Sequence, residues 1–438
     1  MDSLKQMEKL VSPFGVLASA QPIDYTLPGE PKFAAFHSNA GWPLRLPLDS
    51  FRRIEEPVER SLFNKRHGGS GSALSPDHAR LVALAEAAER YSCALPVEDA
   101  MFWATAAELG PDALELADLP RLSDEEYDTA GQQLRPPVDT EPIRWTAAWS
   151  VTRERRVYIP AVLAWTSLQP AHQAERITYP ISTGYAVHTD LRAALSNALC
   201  ECVERDAAAV LWLRRLPLPQ VELDEVGPEP AAVLAQRRRS LLPDPLIFDA
   251  TTELGIPTLY SLDVTPHNRK AAAAVAAATD PDPDRSLAKV LREGATCRTG
   301  LNRNTTRPRI PTGKHDVAGG ALWMGQPDKL PEFDFLVTTP RRRRFSEIPR
   351  LPTADSFLTL CERLREHEME VIAVEITPDD LRTVGLHSVR VIVPRLVPLT
   401  FDFNTRFLGH PRIWDADSRL GYPECGKNGV NPNPQPLA

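Results

Sequence analysis

Apolar residues recur at a helical interval along 189–205, TDLRAALSNALCECVER. Leu191, Leu195, Ala198, Leu199 and Cys202 share one face, so the spacing predicts a helix. Thr189 suits its cap and Asp190 its first turn. At about 100° per residue, Glu201 and Glu204 lie together on the flank of the apolar face. A flank lets a packed helix present carboxylates to a cleft. Ser75-Pro76-Asp77 predicts a second helix start, with serine capping and proline at the first position. That helix has Leu81, Leu84 and Ala88 on one side and Glu86 and Glu89 on the other. Further helices are predicted over 286–298 and 357–366. Apolar runs predict strands over 32–37, 156–165, 246–249, 257–263, 371–376 and 388–394. The alanine-rich run 271–278 reads as strand or helix, and 179–188 as a turn into the glutamate-bearing helix. Stretches without a period separate these elements. Residues 1–50 are proline-rich, 50–64 are helical or irregular, and 110–145 are acidic and loop-like, with Asp124-Glu125-Glu126 as a solvated run. The polar segment 302–328 is long enough for a lid or a mobile loop.

A chain of 438 residues can bury a large core and holds two or three domains, or one large one. Its 42 prolines are about twice ordinary usage. Apolar residues stay at 42%, so the prolines indicate turns rather than disorder. A net charge of −8 gives no general attraction to nucleic acid or an anionic membrane. There is no long apolar run and no N-terminal signal segment, so a cytoplasmic protein with reduced thiols is expected. Its six cysteines form no C-x₂-C pair, which argues against a zinc site.

The chemistry concentrates where a pattern repeats. Residues 82–90 read VALAEAAER and 197–205 read NALCECVER; both contain Ala-Leu-x-Glu-x-x-Glu-Arg. A weaker copy, VLREGATCR over 290–298, keeps Glu293 and has Thr296 where a second glutamate would fall. Glu86, Glu89, Glu201 and Glu204 thus form two matched pairs, suited to hard cations such as Mg²⁺, which usually arrives with phosphates. The alternative is two solvated faces with internal ion pairs. Lys65-Arg-His-Gly-Gly-Ser-Gly-Ser72 precedes the first of these helices. It reads as a surface turn, or as a loop whose free amides and lysine meet phosphate. Arg341–Arg344 reads as a solvated face or as a patch for an acidic peptide. His188, before the central helix, is a candidate acid–base group or a structural residue; no Ser-His-Asp or Cys-His set is evident. The terminal Pro432-Asn-Pro434-Gln-Pro436-Leu-Ala438 is either an extended polyproline strut or a disordered tail.

Taken in order, these pieces resemble the YcaO family, ATP-dependent enzymes that activate peptide backbone amides. The similarity runs from about Val11 to the end. It rests on the 83–91 and 198–206 segments, Ser182-Thr-Gly-Tyr-Ala186, Glu293 with Arg298, and the terminal prolines. The resemblance implies an α+β fold of YcaO type, with mixed and antiparallel sheets and packed helices around a central ATP site. It implies an N-terminal extension over 1–50 with edge strands packed on a YcaO domain spanning 51–438. Lys65 and Ser72 would contact nucleotide, and Glu86, Glu89, Glu201 and Glu204 would hold the Mg²⁺ that bridges ATP phosphates. Ser182, Arg90, Arg205 and Arg292, with Glu293 and Arg298, would be nucleotide neighbours. Pro432, Pro434, Pro436 and Ala438 would lie near the reacting amide. Val82, Thr183 and Thr296 depart from residues the family often carries, Ser, Asn and Gln respectively.

The reaction that the resemblance implies is cyclodehydration of Cys, Ser or Thr to thiazoline or oxazoline in a ribosomally made, modified peptide. An amine nucleophile would give a macroamidine and external sulfide a thioamide by the same amide activation. A non-catalytic ATP-binding scaffold subunit is the alternative that the three departures suggest. An ordinary ATP-dependent ligase is a further one. Expected partners are the precursor peptide, a separate leader-peptide-binding protein, no fused one being evident, and a second copy of the chain.

Overall fold

The computed structural model describes residues 2–12, 15–23, 29–41, 68–312, 316–422, 425 and 429–437. Lys65, Ala438 and the 50–64 segment lie outside the described residues. Helices of six residues or more are α1 (Asp2–Glu8), α2 (Pro76–Cys93), α3 (Leu191–Arg214), α4 (Pro228–Arg237), α5 (Pro283–Arg303), α6 (Gly319–Met324) and α7 (Ser356–Glu366). Strands β1 (Gln21–Pro22), β2 (Ala34–Asn39) and β3 (Gly68–Ala73) form one antiparallel sheet. Strands β4 (Met101–Ala104), β5 (Ile143–Ser150), β6 (Arg155–Pro160), β7 (Tyr185–His188), β13 (Ile372–Glu375) and β14 (His387–Ile392) form a second. Its order is β4-β5-β13-β14-β7, with β6 on β5, antiparallel throughout. The third sheet runs β11 (Ala273–Thr279), β10 (Thr258–Val264), β9 (Leu246–Asp249), β8 (Gln220–Glu222), β12 (Arg342–Arg344). Only its β8–β12 pair is parallel. The mixed and antiparallel sheets match the expected fold class. The alanine run resolves as strand: every residue of β11 is buried, which needs small or apolar side chains on both faces.

Three helices meet where the sheets converge. α2 packs on β2, β3 and β7; α3 on β7, β14 and β11; α5 on β10, β11 and β3. Their starts follow local chemistry. The Ser75 side chain accepts the His78 amide, with Pro76 in the first turn of α2. α3 is capped by Asp190, which accepts the Ala193 amide at 2.8 Å, and not by Thr189. It also runs nine residues past Arg205. From Ala207 to Arg214 every residue is buried, so no polar face marks the continuation.

Residues 68–73 were expected as a glycine-rich loop and are strand β3. Their glycines serve close packing. A Cβ on Gly71 would lie 2.2 Å from the Ala79 carbonyl oxygen and 2.5 Å from the Ala83 nitrogen; one on Gly69 would lie 2.3 Å from the Ala87 nitrogen. The buried Ala79, Ala83 and Ala87 stripe of α2 complements them. Gly71→Ala is therefore expected to lower stability by about 2 kcal/mol or more, read as a fall in Tm. A neutral result would show that β3 can move off α2.

Other expectations shift. Short helical turns and the start of β5 break up 110–145. Glu126 is buried, accepting the amides of Arg406 (2.6 Å) and Leu408 (2.8 Å), so it is not part of a solvated run. The 156–165 strand stops at Pro160 and a single helical turn follows. The 302–328 segment contains the last two residues of α5 and all of α6, while residues 304–312 between them form neither helix nor strand. The Arg341–Arg344 run is tied down at its long side chains. Arg343 pairs with Asp249 and Arg344 with Glu347, while Arg341 lies over the Tyr422 ring. No helix among the described residues is long and apolar enough to cross a membrane.

Candidate functional site

Glu86 and Glu89 sit in the second half of α2, and Glu201 and Glu204 midway along α3. β7 lies between these two helices and packs on both. Each pair is bound to its own arginine. Arg90 reaches Glu89 at 2.6 Å and Glu86 at 3.1 Å. Arg205 lies 3.4 Å from Glu201 and 3.8 Å from Glu204. Backbone amides fix the carboxylates further. Ser70 of β3 donates to Glu86 and Gly184 donates to Glu201, both at 2.8 Å. Gly184 has φ +80°, and a Cβ there would lie 2.4 Å from the Val391 oxygen, so only glycine can place this amide.

The pairs share one electrostatic neighbourhood. Burial pushes the Glu89 carboxyl up to about 8, Arg90 opposes, and the charges of Glu201 and Glu86 raise it further. Burial also raises Glu293 on α5, against Lys289, with Glu204 adding to the rise. Five carboxylates from three helices are thus held together against their mutual repulsion. Among the described residues no three carboxylate, imidazole or thiol side chains form a ready-made metal position. Arg90 and Arg205 engage carboxylate oxygens of both pairs.

The donor set nonetheless suits a metal–nucleotide pair. Carboxylate oxygens on two helices match a cation that prefers oxygen. The buried Arg292 Nε has no acceptor among the described residues, and a phosphate oxygen would suit it. Ser182 lies two residues before Gly184, on the same approach to Glu201.

Glu204 differs from its neighbours. It is 2% exposed, and its Oε2 accepts Lys289 Nζ at 3.0 Å and the Thr279 amide at 3.2 Å. Ser72 is buried and accepts the Thr296 hydroxyl at 3.1 Å, so this departure from the family pattern joins α5 to β3. Arg298 is engaged by other partners. It is 1% exposed, paired with Glu30 and bonded to the Ala271 carbonyl, a buried brace. His188 accepts the Asp190 amide on Nδ1 at 2.9 Å, a turn-forming role ahead of α3. Lys289 and Thr279 went unnoticed in the sequence, and the amide of Ser70, expected to be free for phosphate, is given to Glu86. Only Lys289 carried a signal, one turn before Glu293 on the same predicted helix.

The tail is ordered rather than loose. Asn431 is fully buried, and its amide donates to the Leu213 carbonyl at 2.8 Å. Trp212 Nε1 donates to the Asn433 carbonyl at 3.2 Å, and Asn433 donates to Glu332 at 2.7 Å. Pro434 and Pro436 are buried and Leu437 is 5% exposed. The tail lies on the C-terminal half of α3 beside an apolar cavity lined by Trp212, Leu213, Phe401, Phe403 and Pro434. Eight residues along α3 separate Glu204 from Trp212, about 12 Å of helix.

The Glu89 shift has a consequence for stability. Between its unfolded value, 4.5, and about 8, the folded protein keeps a proton that the unfolded chain has lost. Stability of the metal-free protein therefore falls as pH rises through that window. Glu89→Gln removes this dependence. Relative to wild type in chelator, the variant should gain on the order of 1–2 kcal/mol between pH 5 and pH 8.5, seen as a widening Tm gap. A gap that stays constant would contradict the crowding of charge at Glu89.

Comparison with known proteins identifies the family and the fold. The family model described as YcaO cyclodehydratase, ATP- and Mg²⁺-binding, matches residues 70–397. A protein of Methanothermobacter thermautotrophicus, described as uncharacterized, is 25% identical over 348 residues, 76% of this chain and 82% of its own. A heterocyclase solved in complex with substrate and cofactor superposes with a TM-score of 0.78 at 22% identity, covering 100% of this chain. The chain spans 57% of that heterocyclase's length. YcaO from Methanopyrus kandleri, solved with AMPPCP and Mg²⁺, gives a TM-score of 0.63 at 16% identity over 90% of each chain. The two solved structures establish the fold, and the family match covers most of the sequence. The chain belongs to the YcaO cyclodehydratase family, whose cofactors are ATP and Mg²⁺.

Proposed function

We propose that this chain activates a peptide backbone amide with ATP and Mg²⁺, giving thiazoline or oxazoline from Cys, Ser or Thr. The observation that carries the reading is the matched carboxylate–arginine pairs, Glu86 and Glu89 with Arg90 on α2 and Glu201 and Glu204 with Arg205 on α3, on two helices that pack on the same strand β7. When bound, ATP supplies a phosphoryl group that makes the amide oxygen a leaving group, and Mg²⁺ offsets the phosphate charge. Glu86, Glu89 and Glu201 would face the cation, with Glu204 offering its remaining oxygen. Arg90, Arg205 and Arg292 would face phosphate, with Ser182 and Ser72 beside them. Lys65 keeps the nucleotide role that the resemblance implies.

The chain's own contribution is positioning and charge, since no side-chain nucleophile is required. The ordered tail supports the azoline reading: its prolines hold an extended segment against α3, about 12 Å along that helix from Glu204. The substrate is a peptide, recognised with or without a separate leader-binding protein; that a heterocyclase of this fold is solved with substrate and cofactor supports a site that takes both. The test is mass spectrometry of a candidate peptide incubated with the protein, its partners and Mg-ATP. Loss of one water at a Cys, Ser or Thr, matched by released phosphate, is expected. Loss at an amine, exchange of oxygen for sulfur, or joining of two substrates would overturn the azoline assignment.

A further inference from the structure

Glu204 was expected to be a free metal ligand, yet one of its oxygens is fully committed. Oε2 accepts two donors: Lys289 Nζ at 3.0 Å, from α5, and the Thr279 amide at 3.2 Å, at the end of β11. Oε1 has no such anchor, with Arg205 the near cation at 3.8 Å. Glu86 and Glu201 each also have one arginine and one backbone amide, but split between their two oxygens, the arginine on Oε1 and the amide on Oε2. Lys289 is also unusual. Its side chain is 38% exposed, while its ammonium end is fixed on Glu204 at 3.0 Å.

We propose that Lys289 is a positioning residue for the cation site: it pins one oxygen of Glu204 so that only the other faces the metal and nucleotide. This rests on the nucleotide reading above. The physical argument is one of geometry. A carboxylate on a helix flank can swing between rotamers and bind a cation through one or both oxygens. Two donors from different elements, a lysine on α5 and a strand amide on β11, remove that freedom and leave one oxygen for the metal. They also tie α3 to α5 and β11, so Glu204 keeps its place whether or not a cation is present. Lys289 is suited to this role because an ammonium is a compact charge that needs no fork geometry. It further compensates a carboxylate that is 2% exposed.

Lys289→Met, Lys289→Arg and Glu204→Gln, singly and as Lys289→Met with Glu204→Gln, test the proposal. Binding is read by titrating Mn²⁺ into protein with a non-hydrolysable ATP analogue, followed by electron paramagnetic resonance, with Tm as a check on folding. Lys289→Met is expected to weaken Mn²⁺ binding at least tenfold, with nucleotide affinity at saturating Mn²⁺ changed less than threefold. Lys289→Arg should recover Mn²⁺ affinity to within about threefold of wild type. In the Glu204→Gln background, Lys289→Met should have no further effect, because the two act through one carboxylate. If Lys289→Met does not fold, Lys289→Gln replaces it in the same comparison. Unchanged Mn²⁺ affinity in folded Lys289→Met, or additive losses in the double variant, would overturn the proposal. Failure of the wild type to bind Mn²⁺ with nucleotide would instead overturn the nucleotide reading itself.

Discussion

Glu201→Gln is expected to lower ATP-dependent turnover roughly a thousandfold while the protein remains folded. Glu201 sits 3.4 Å from Arg205, accepts the Gly184 amide at 2.8 Å and contributes to the raised Glu89 carboxyl, so it lies at the junction of α2 and α3. Losing its charge removes stabilisation of a cation and its phosphates, on the order of several kcal/mol, and each 1.36 kcal/mol is about tenfold in rate. The fold should survive, because the amide oxygen of glutamine can still accept from Gly184 and fewer like charges remain. Phosphate release with peptide and Mg-ATP, with Tm measured alongside, checks this. Turnover within a few-fold of wild type would sink the assignment of Glu201.

Deleting Asn433–Ala438 should have a comparable effect on chemistry by a different route. The segment stacks on the buried end of α3: Trp212 donates to the Asn433 carbonyl, and Gln435 runs so close to α6 that a Cβ on Gly320 would lie 2.1 Å from its carbonyl oxygen. Truncation removes the buried Leu437 and leaves the Trp212 N–H without an acceptor, so Tm should fall. On the proposed reading, in which the tail shapes the region beside the reacting amide, ring formation is expected to fall by about a hundredfold or more. Nucleotide affinity should change less than threefold, since the carboxylates lie about 12 Å away along α3. Turnover that survives, or nucleotide affinity lost in step with turnover, would make the tail a brace and not part of the reaction site.

How much of this the sequence made legible depends on whether the signal is local. The Glu-x-x-Glu-Arg repeat was readable because helix geometry places i and i+3 residues side by side. The start of α2 was readable from Ser75 and Pro76 for the same local reason. The end of α3 was not, since Ala207–Arg214 is buried on every side and loses its period. β3 was misread because glycines permit both a phosphate loop and a strand; the choice was made by the Ala79, Ala83 and Ala87 stripe of α2, a contact across the fold. The same holds for Arg298, whose Glu30 partner is far away in sequence, and for Lys289, whose carboxylate partner is on another helix. Local periodicity finds an element and its faces, whereas the partner of a charged group is decided only by tertiary packing.

The central claim is that α2, α3 and α5 hold Mg-ATP between them. Crystals grown with Mn²⁺ and a non-hydrolysable ATP analogue, with data collected for manganese anomalous scattering, test it most directly. Manganese peaks are expected bounded by Glu86 and Glu89 on one side and Glu201 and Glu204 on the other, with a phosphate oxygen at Arg292 Nε. Manganese and nucleotide bound elsewhere, with Arg90 and Arg205 still closed on their glutamates, would contradict it.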